Sequence, residues 1–202
     1  MSTSIRLAKL EDVGRIVKIH QAAFEDFFLT SLGEAFLELY YSTYIKSGLG
    51  VVYCAEKDDE LVGFSACSYV SRGFNLKLIK QNLVKYGLES LRLLLNRPEA
   101  IIRLVKNLNK NGNGNKIKDS GDYAELYSIA VRPTYQGEGI GRLLLDATEL
   151  DVRDHNPRLS LTTDYYENEK TLAFYRSLGY EVMYDFVAYP HRRMYRMIKR
   201  LR

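Results

Sequence analysis

The stretch Ala124 to Arg142, AELYSIAVRPTYQGEGIGR, decides the fold. Its apolar run to Val131 predicts a strand, Arg132-Pro133 a turn, and the apolar periodicity of RLLLDATEL a helix starting near Gly139. Between them stands Gln136-Gly137-Glu138-Gly139-Ile140-Gly141. Glycines packed between a strand and a helix let several backbone N–H groups converge on one anion, and the helix N-terminus adds partial positive charge. A diphosphate is the natural ligand for such a nest.

Three phosphate loops compete for this pattern. A P-loop would end in Gly-Lys-Ser/Thr, which is absent here. A dinucleotide fingerprint needs a third glycine where this chain has Arg142, and it belongs to an opening βαβ unit. Gln-x-x-Gly-x-Gly, met by Gln136, Gly139 and Gly141, is the pattern that fits.

Working outward, the segment resembles the coenzyme-A-binding motif of the GNAT acetyltransferases. The likeness continues in Asn168-Glu-Lys-Thr-Leu-Ala-Phe-Tyr175-Arg-Ser-Leu-Gly179-Tyr180, similar to that family's last helix. It covers roughly Tyr123 to Glu181. The resemblance implies a single α/β domain with a mixed, mostly antiparallel sheet, parallel only between two splayed central strands and flanked by helices. It implies acetyl-CoA as co-substrate, with its pyrophosphate on the backbone of Gln136, Gly137, Glu138, Gly139, Ile140, Gly141 and Arg142. Its pantetheine arm would lie along Ile129, Ala130 and Val131, and Asn168 would reach the arm or the phosphates while capping the last helix. Glu138 departs from the family, which often has a basic residue there; Arg132, Arg142 or Arg176 would compensate.

Transfer from a thioester to an amine needs a deprotonated amine, a stabilised oxyanion and a proton for the leaving thiolate. The resemblance assigns the general acid to Tyr175, which otherwise reads as a core aromatic. Glu125 is the base candidate, with Asp122, Tyr127 or no dedicated base as alternatives. Strand alternation places Glu125, Tyr127, Ile129 and Val131 on one face, with Leu126, Ser128 and Ala130 on the other. The oxyanion would meet a backbone N–H of the Tyr127–Val131 strand.

The rest of the second half reads as a strand over Leu159–Asp164, a helix over Glu167–Leu178, a strand over Tyr180–Val187 and an edge strand over Arg193–Lys199. In the first half, Ser4–Lys9 is a short strand, Leu10 opens a helix through Ile19, and Ser31–Lys46 is a second helix. Val51–Glu56 and Leu61–Val70 form a hairpin around Lys57-Asp58-Asp59-Glu60. An insertion at about residues 72–120 follows: amphipathic helices over Asn75–Leu95 and Pro98–Leu108, then a polar, glycine-rich loop over Asn109–Ser120.

The insertion also holds the charge. With 29 Lys and Arg against 25 Asp and Glu the net charge is +4, but Arg72–Lys118 alone carries +9, leaving −5 elsewhere. Three uses of that charge are open: a solvated helical cover for the acceptor groove, steering of an anionic acceptor such as a nucleotide-linked amino sugar, or contact with an anionic membrane surface. The stretch Phe28–Gly33 with Phe36-Leu37 and Tyr40-Tyr41 resembles GNAT members linked to surface-polysaccharide synthesis, which favours the amino sugar. Little aromatic interleaving and no reader motif argue against nucleic acid. A basic acceptor groove would suit nucleotide sugars and an acidic one peptides.

A length of 202 residues, 46% hydrophobic and 27% charged, suits one domain able to bury a core. The opening MSTSIRLAKLEDVGRIV has no apolar run, so no secretory leader is expected. Cys54 and Cys67 read as reduced, half-buried residues of a cytoplasmic protein, and neither they nor His20, His155 and His191 have metal-ligand spacing. The expected activity is N-acetylation of a primary amine on a small molecule such as an amino sugar. Acetylation of protein N-termini or lysines, and a non-catalytic acyl-CoA-binding module, are the alternatives.

Overall fold

The computed structural model describes residues 2–96, 119–188 and 191–202. The chain runs β1 (Ser4–Leu7), a 3-10 turn (Leu10–Asp12), α1 (Val13–Ala23), α2 (Phe28–Ser31), α3 (Glu34–Lys46), β2 (Gly50–Lys57) and β3 (Glu60–Ser68). It continues through α4 (Phe74–Gln81), α5 (Leu83–Asn96), β4 (Ala124–Val131), α6 (Ile140–Val152), β5 (Arg158–Asp164), α7 (Glu169–Ser177), β6 (Glu181–Ala188) and β7 (Arg192–Arg200). The strands form one sheet in the order β1-β2-β3-β4-β5-β7-β6. Among the described residues only β4 and β5 pair in parallel. This is the expected mixed, mostly antiparallel sheet flanked by helices.

Helices cover both faces because each carries one apolar stripe. On α1, Val13, Ile16, Val17 and His20 recur at three- and four-residue steps and are buried. They join α3 residues Leu37, Tyr41 and Tyr44 over Val52, Phe64 and Ala66 of the sheet. On the opposite face α6 buries Leu144 and Leu145 against Val62 and Leu126. Asp12 is fully buried at the start of α1; Arg6 and Arg15 pair with it, and hydrogen bonding from Arg6 holds its carboxyl down at about 2.

The structure moves several expected boundaries. The helix predicted from Ser31 begins at Glu34, because Gly33 (φ 90°) breaks it from the short α2. The helix predicted over Asn75–Leu95 is two: at Asn82 (φ −142°, ψ 42°) the backbone leaves the helical region, so α4 stops and α5 starts afresh. The predicted helix Pro98–Leu108 and most of the loop after it lie outside the described residues. The predicted edge strand at Arg193–Lys199 is interior, since β7 pairs with β5 on one side and β6 on the other. Cys54 and Cys67 are fully buried rather than half-buried, and burial pushes the Cys54 thiol up to about 12. No helix of the described residues is long and apolar enough to cross a membrane.

Candidate active site

The site is built around a defect in β4. Its ladder with β3 pairs Leu126 with Cys67 and Ser128 with Ala66, so Tyr127 is the extra residue of a bulge. An extra residue resets the strand's two-residue alternation. Glu125, Tyr127, Ser128 and Ala130 therefore share the α1 side, while Ile129 and Val131 pack toward Ile140 and Leu144 of α6. The alternation expected from the sequence, with Ile129 and Val131 beside Glu125, fails here.

The bulge coincides with a gap. Parallel pairing of β4 with β5 stops at Leu126–Leu161, so Tyr127–Val131 has no strand partner on its β5 side among the described residues. Thr162, Thr163 and Asp164 pair with β7 alone. Backbone N–H and C=O groups along that edge are available to an extended ligand.

The glycine loop lies at the open end of the gap. Gly137 (φ 84°) and Gly139 (φ 80°) are left-handed, a region glycine enters without strain. A Cβ at Gly137, Gly139 or Gly141 would meet nothing within 4 Å, so open space rather than packing surrounds the loop. Gly139 is the N-cap of α6, where no side chain caps the helix, leaving first-turn N–H groups such as those of Ile140 and Gly141 for an anion. Gln136 donates from Nε2 to the Val131 carbonyl at 3.1 Å, fastening the loop to the strand end. These features fit a diphosphate.

Charge around the loop is arranged differently from the expectation. Glu138 accepts from Lys57 Nζ at 2.6 Å, so a lysine from the hairpin neutralises the residue that departs from the family pattern. Arg132 is tied to Glu60, which Tyr135 also engages at 2.9 Å, and Arg142 lies 3.5 Å from Asp146. Arg176 is exposed on α7.

Asn168 occupies the N-cap position of α7, but its side chain does not cap the helix. Its amide instead donates to Thr163 Oγ1 at 2.6 Å and to the Asp164 carbonyl at 2.9 Å, bracing the β5 side of the gap. Tyr175 is buried beneath β4 and β5 among Leu126, Leu145 and Tyr180. Burial pushes its phenol up to about 12, so it keeps its proton at neutral pH.

Glu125 sits where β4 and β5 are still paired, opposite Ser160. Its carboxylate takes an ion pair from Arg196 and a hydrogen bond from Ser71 Oγ. The Arg196 guanidinium in turn lies 5.5 Å from the Tyr123 ring centre.

On the α1 side of the bulge is a cavity of about 300 Å³. Tyr127 and Ser128 contribute its β4 wall, α1 and the segment after it contribute His20, Phe24 and Phe28, and the insertion contributes Leu78 and Tyr86. No Lys, Arg, Asp or Glu lines it among the described residues. The groove is therefore neither basic nor acidic but aromatic.

His20 was not singled out by the sequence reading, although a titratable ring on the apolar stripe of α1 was visible there. Its Nδ1 lies 2.7 Å from Tyr41 Oη, and Tyr41 donates onward to Ser128 Oγ at 3.4 Å. The Nδ1–Tyr41 contact is compatible with either ring tautomer. Nε2 is buried and has no partner among the described residues. Burial lowers the imidazole to about 4, so it is neutral at pH 7.

Comparison with known proteins agrees with this geometry. The family model described as acetyltransferase (GNAT) family matches residues 15–180. No curated protein matches the sequence. Among solved structures, a Corynebacterium glutamicum protein described as histone acetyltransferase HPA2 and related acetyltransferase superposes with TM-score 0.66 at 16% identity, covering 100% of this chain and 98% of its own. An N-acetyltransferase from Staphylococcus aureus Mu50 gives 0.65 at 14%, with 100% of both chains covered. The ribosomal-protein-S18-alanine N-acetyltransferase of Escherichia coli gives 0.62 at 15%, covering 99% of this chain and 94% of its own. At these identities the likeness is one of fold.

Proposed function

The chain belongs to the acetyltransferase (GNAT) family, and on that premise we propose that it moves an acetyl group from acetyl-CoA to the primary amine of a small molecule. The observation that carries this reading is the meeting of three features on one strand: the gap beside Tyr127–Val131, the glycine loop beyond it, and the cavity against Tyr127 and Ser128. A cavity of about 300 Å³ suits a small acceptor better than a peptide chain.

Acetyl-CoA supplies the activated acetyl group. The loop from Gln136 to Arg142 binds its diphosphate through backbone N–H groups, and the free edge of Ile129–Val131 orders its arm. Asn168 holds the facing edge of β5 in place. A backbone N–H between Tyr127 and Val131 stabilises the oxyanion, a task that fixed dipoles perform without reorganising. Tyr175 holds the proton destined for the leaving thiolate. Glu125, on the cavity side of β4, draws the proton from the amine through Tyr127 or a water. Transfer is direct, with both substrates bound: Cys54 and Cys67 are buried, and burial pushes both thiols up, away from the thiolate a carrier would need.

A second use of the insertion has its own observation. Leu83, Val84, Leu88 and Leu95 of α5 are more than 60% exposed, near Lys85 and Arg92, which supports peripheral contact with anionic lipid. Sedimentation with anionic vesicles tests it: recovery of the protein in the supernatant rejects the contact.

Calorimetric titration with acetyl-CoA, followed by thiol release over a panel of amines, tests the main reading. Binding and amine-dependent release support it. Binding without release on any amine would leave a coenzyme-binding module, and no binding would remove the acetyl-CoA assignment.

A further inference from the structure

Resting on the acetyltransferase reading, we propose that the acceptor is a primary amine on an apolar, ring-sized body seated in the aromatic cavity against Tyr127 and Ser128. The body is read from the cavity lining. Phe24, Phe28, Leu78 and Tyr86 offer it hydrocarbon and aromatic faces, and no charged side chain of the described residues offers a sugar phosphate a counter-charge. A hydroxyl-rich sugar placed there would lose its hydration without recovering enough hydrogen bonds.

The position is read from β4. Tyr127 and Ser128 form the cavity wall at the bulge, beside the edge that β5 leaves unpaired among the described residues, so an amine carried on a body in the cavity is brought to that edge.

The inference departs from the sequence expectation of an amino sugar drawn by the basic insertion. The part of the insertion described here presents Leu78, Ile79 and Tyr86 to the cavity and keeps Lys77, Lys80 and Lys85 exposed.

The test titrates the full chain with 2-phenylethylamine and with glucosamine, with and without acetyl-CoA, and then measures thiol release. Direct amine binding is a readout independent of turnover, and acetyl-CoA binding is scored separately. Loss of coenzyme binding alone would thus fault the acetyl-CoA reading without touching this one. The expected result is binding and kcat/KM at least about tenfold better for 2-phenylethylamine, the scale of a few buried methylenes. Asn75 lines the mouth and is exposed, so Asn75→Trp should block the amine while leaving the acetyl-CoA isotherm intact. Equal use of the two amines, or amine binding unchanged in Asn75→Trp, would overturn the proposal. So would octanoyl-CoA outperforming acetyl-CoA with no preference among amines, which would give the cavity to the acyl chain.

Discussion

Glu125 and Arg196 form an ion pair nearly closed off from solvent, their side chains 10% and 13% exposed. The arginine reaches over β5 from β7, since its own ladder partner there is Thr162. Removing one partner of such a pair strands the other charge, whereas removing both does not. Glu125→Gln and Arg196→Met should each lower unfolding free energy by roughly 3 kcal/mol, and Glu125→Leu with Arg196→Met should recover most of it. Urea denaturation measures all three. If Glu125 also draws the proton from the amine, Glu125→Gln at a temperature where it is folded should lose far more activity than Arg196→Met. Equal losses would make the pair purely structural.

The depressed His20 imidazole makes stability depend on pH. Its native value is about 4 against an ordinary 6.5, because burial disfavours the cation. Between these values the unfolded chain binds a proton that the native one refuses, so stability is full above pH 6.5 and falls as pH drops toward 4. The loss should reach roughly 3 kcal/mol. His20→Phe should flatten Tm between pH 6.5 and 4, leaving the steeper loss near pH 2 to groups such as Asp12. An unchanged pH dependence of Tm in that variant would show that His20 is not the source.

Gly139 is both a conformational and an open position. At φ 80° a side chain is strained, yet a Cβ would meet nothing within 4 Å. Gly139→Val should therefore leave the core intact, cost about 1–2 kcal/mol of stability and weaken acetyl-CoA binding at least about tenfold by turning the first-turn N–H groups of α6. Gly141→Val, with ordinary φ, should hinder the diphosphate without the stability loss. Calorimetry beside thermal unfolding separates the two effects.

Tyr175→Phe keeps the ring that packs against Tyr180 and removes only the hydroxyl. With the phenol pushed up to about 12 by burial, the wild-type group stays protonated across the working range. The variant should bind acetyl-CoA normally and lose at least about tenfold in kcat. A wild-type kcat would return Tyr175 to the core.

Lys57 and Glu138 neutralise each other at the edge of the phosphate loop. Glu138→Gln should free the lysine and tighten acetyl-CoA roughly two- to fivefold at low salt, a gain that fades as salt rises. No gain at low salt would place Lys57 out of reach of the phosphates.

Several of these residues were readable in the sequence because their signals are local. The strand into Val131, the glycines that turn the chain and the helix after Gly139 depend on neighbours within a few positions. The hairpin of β2 and β3 was equally plain, with Asp58 and Asp59 taking the positive φ its two-residue turn requires. The helix break at Asn82 was not, because amphipathic spacing continues across it.

By itself, the sequence determined most of the order of elements and the glycine loop, which rest on short-range backbone preference and periodicity, and it pointed to the family through the resemblance of two motifs. The tertiary structure alone decided which residues confront one another. The bulge at Tyr127 follows from how β4 registers on β3, and it reset the faces of Ile129 and Val131. Arg196 meets Glu125 across 71 positions, Lys57 meets Glu138 across 81, and Tyr41 meets Ser128 across 87. Such partners are chosen by packing of the whole sheet and its helices, and the aromatic cavity beside Ser128 exists only once that packing is complete.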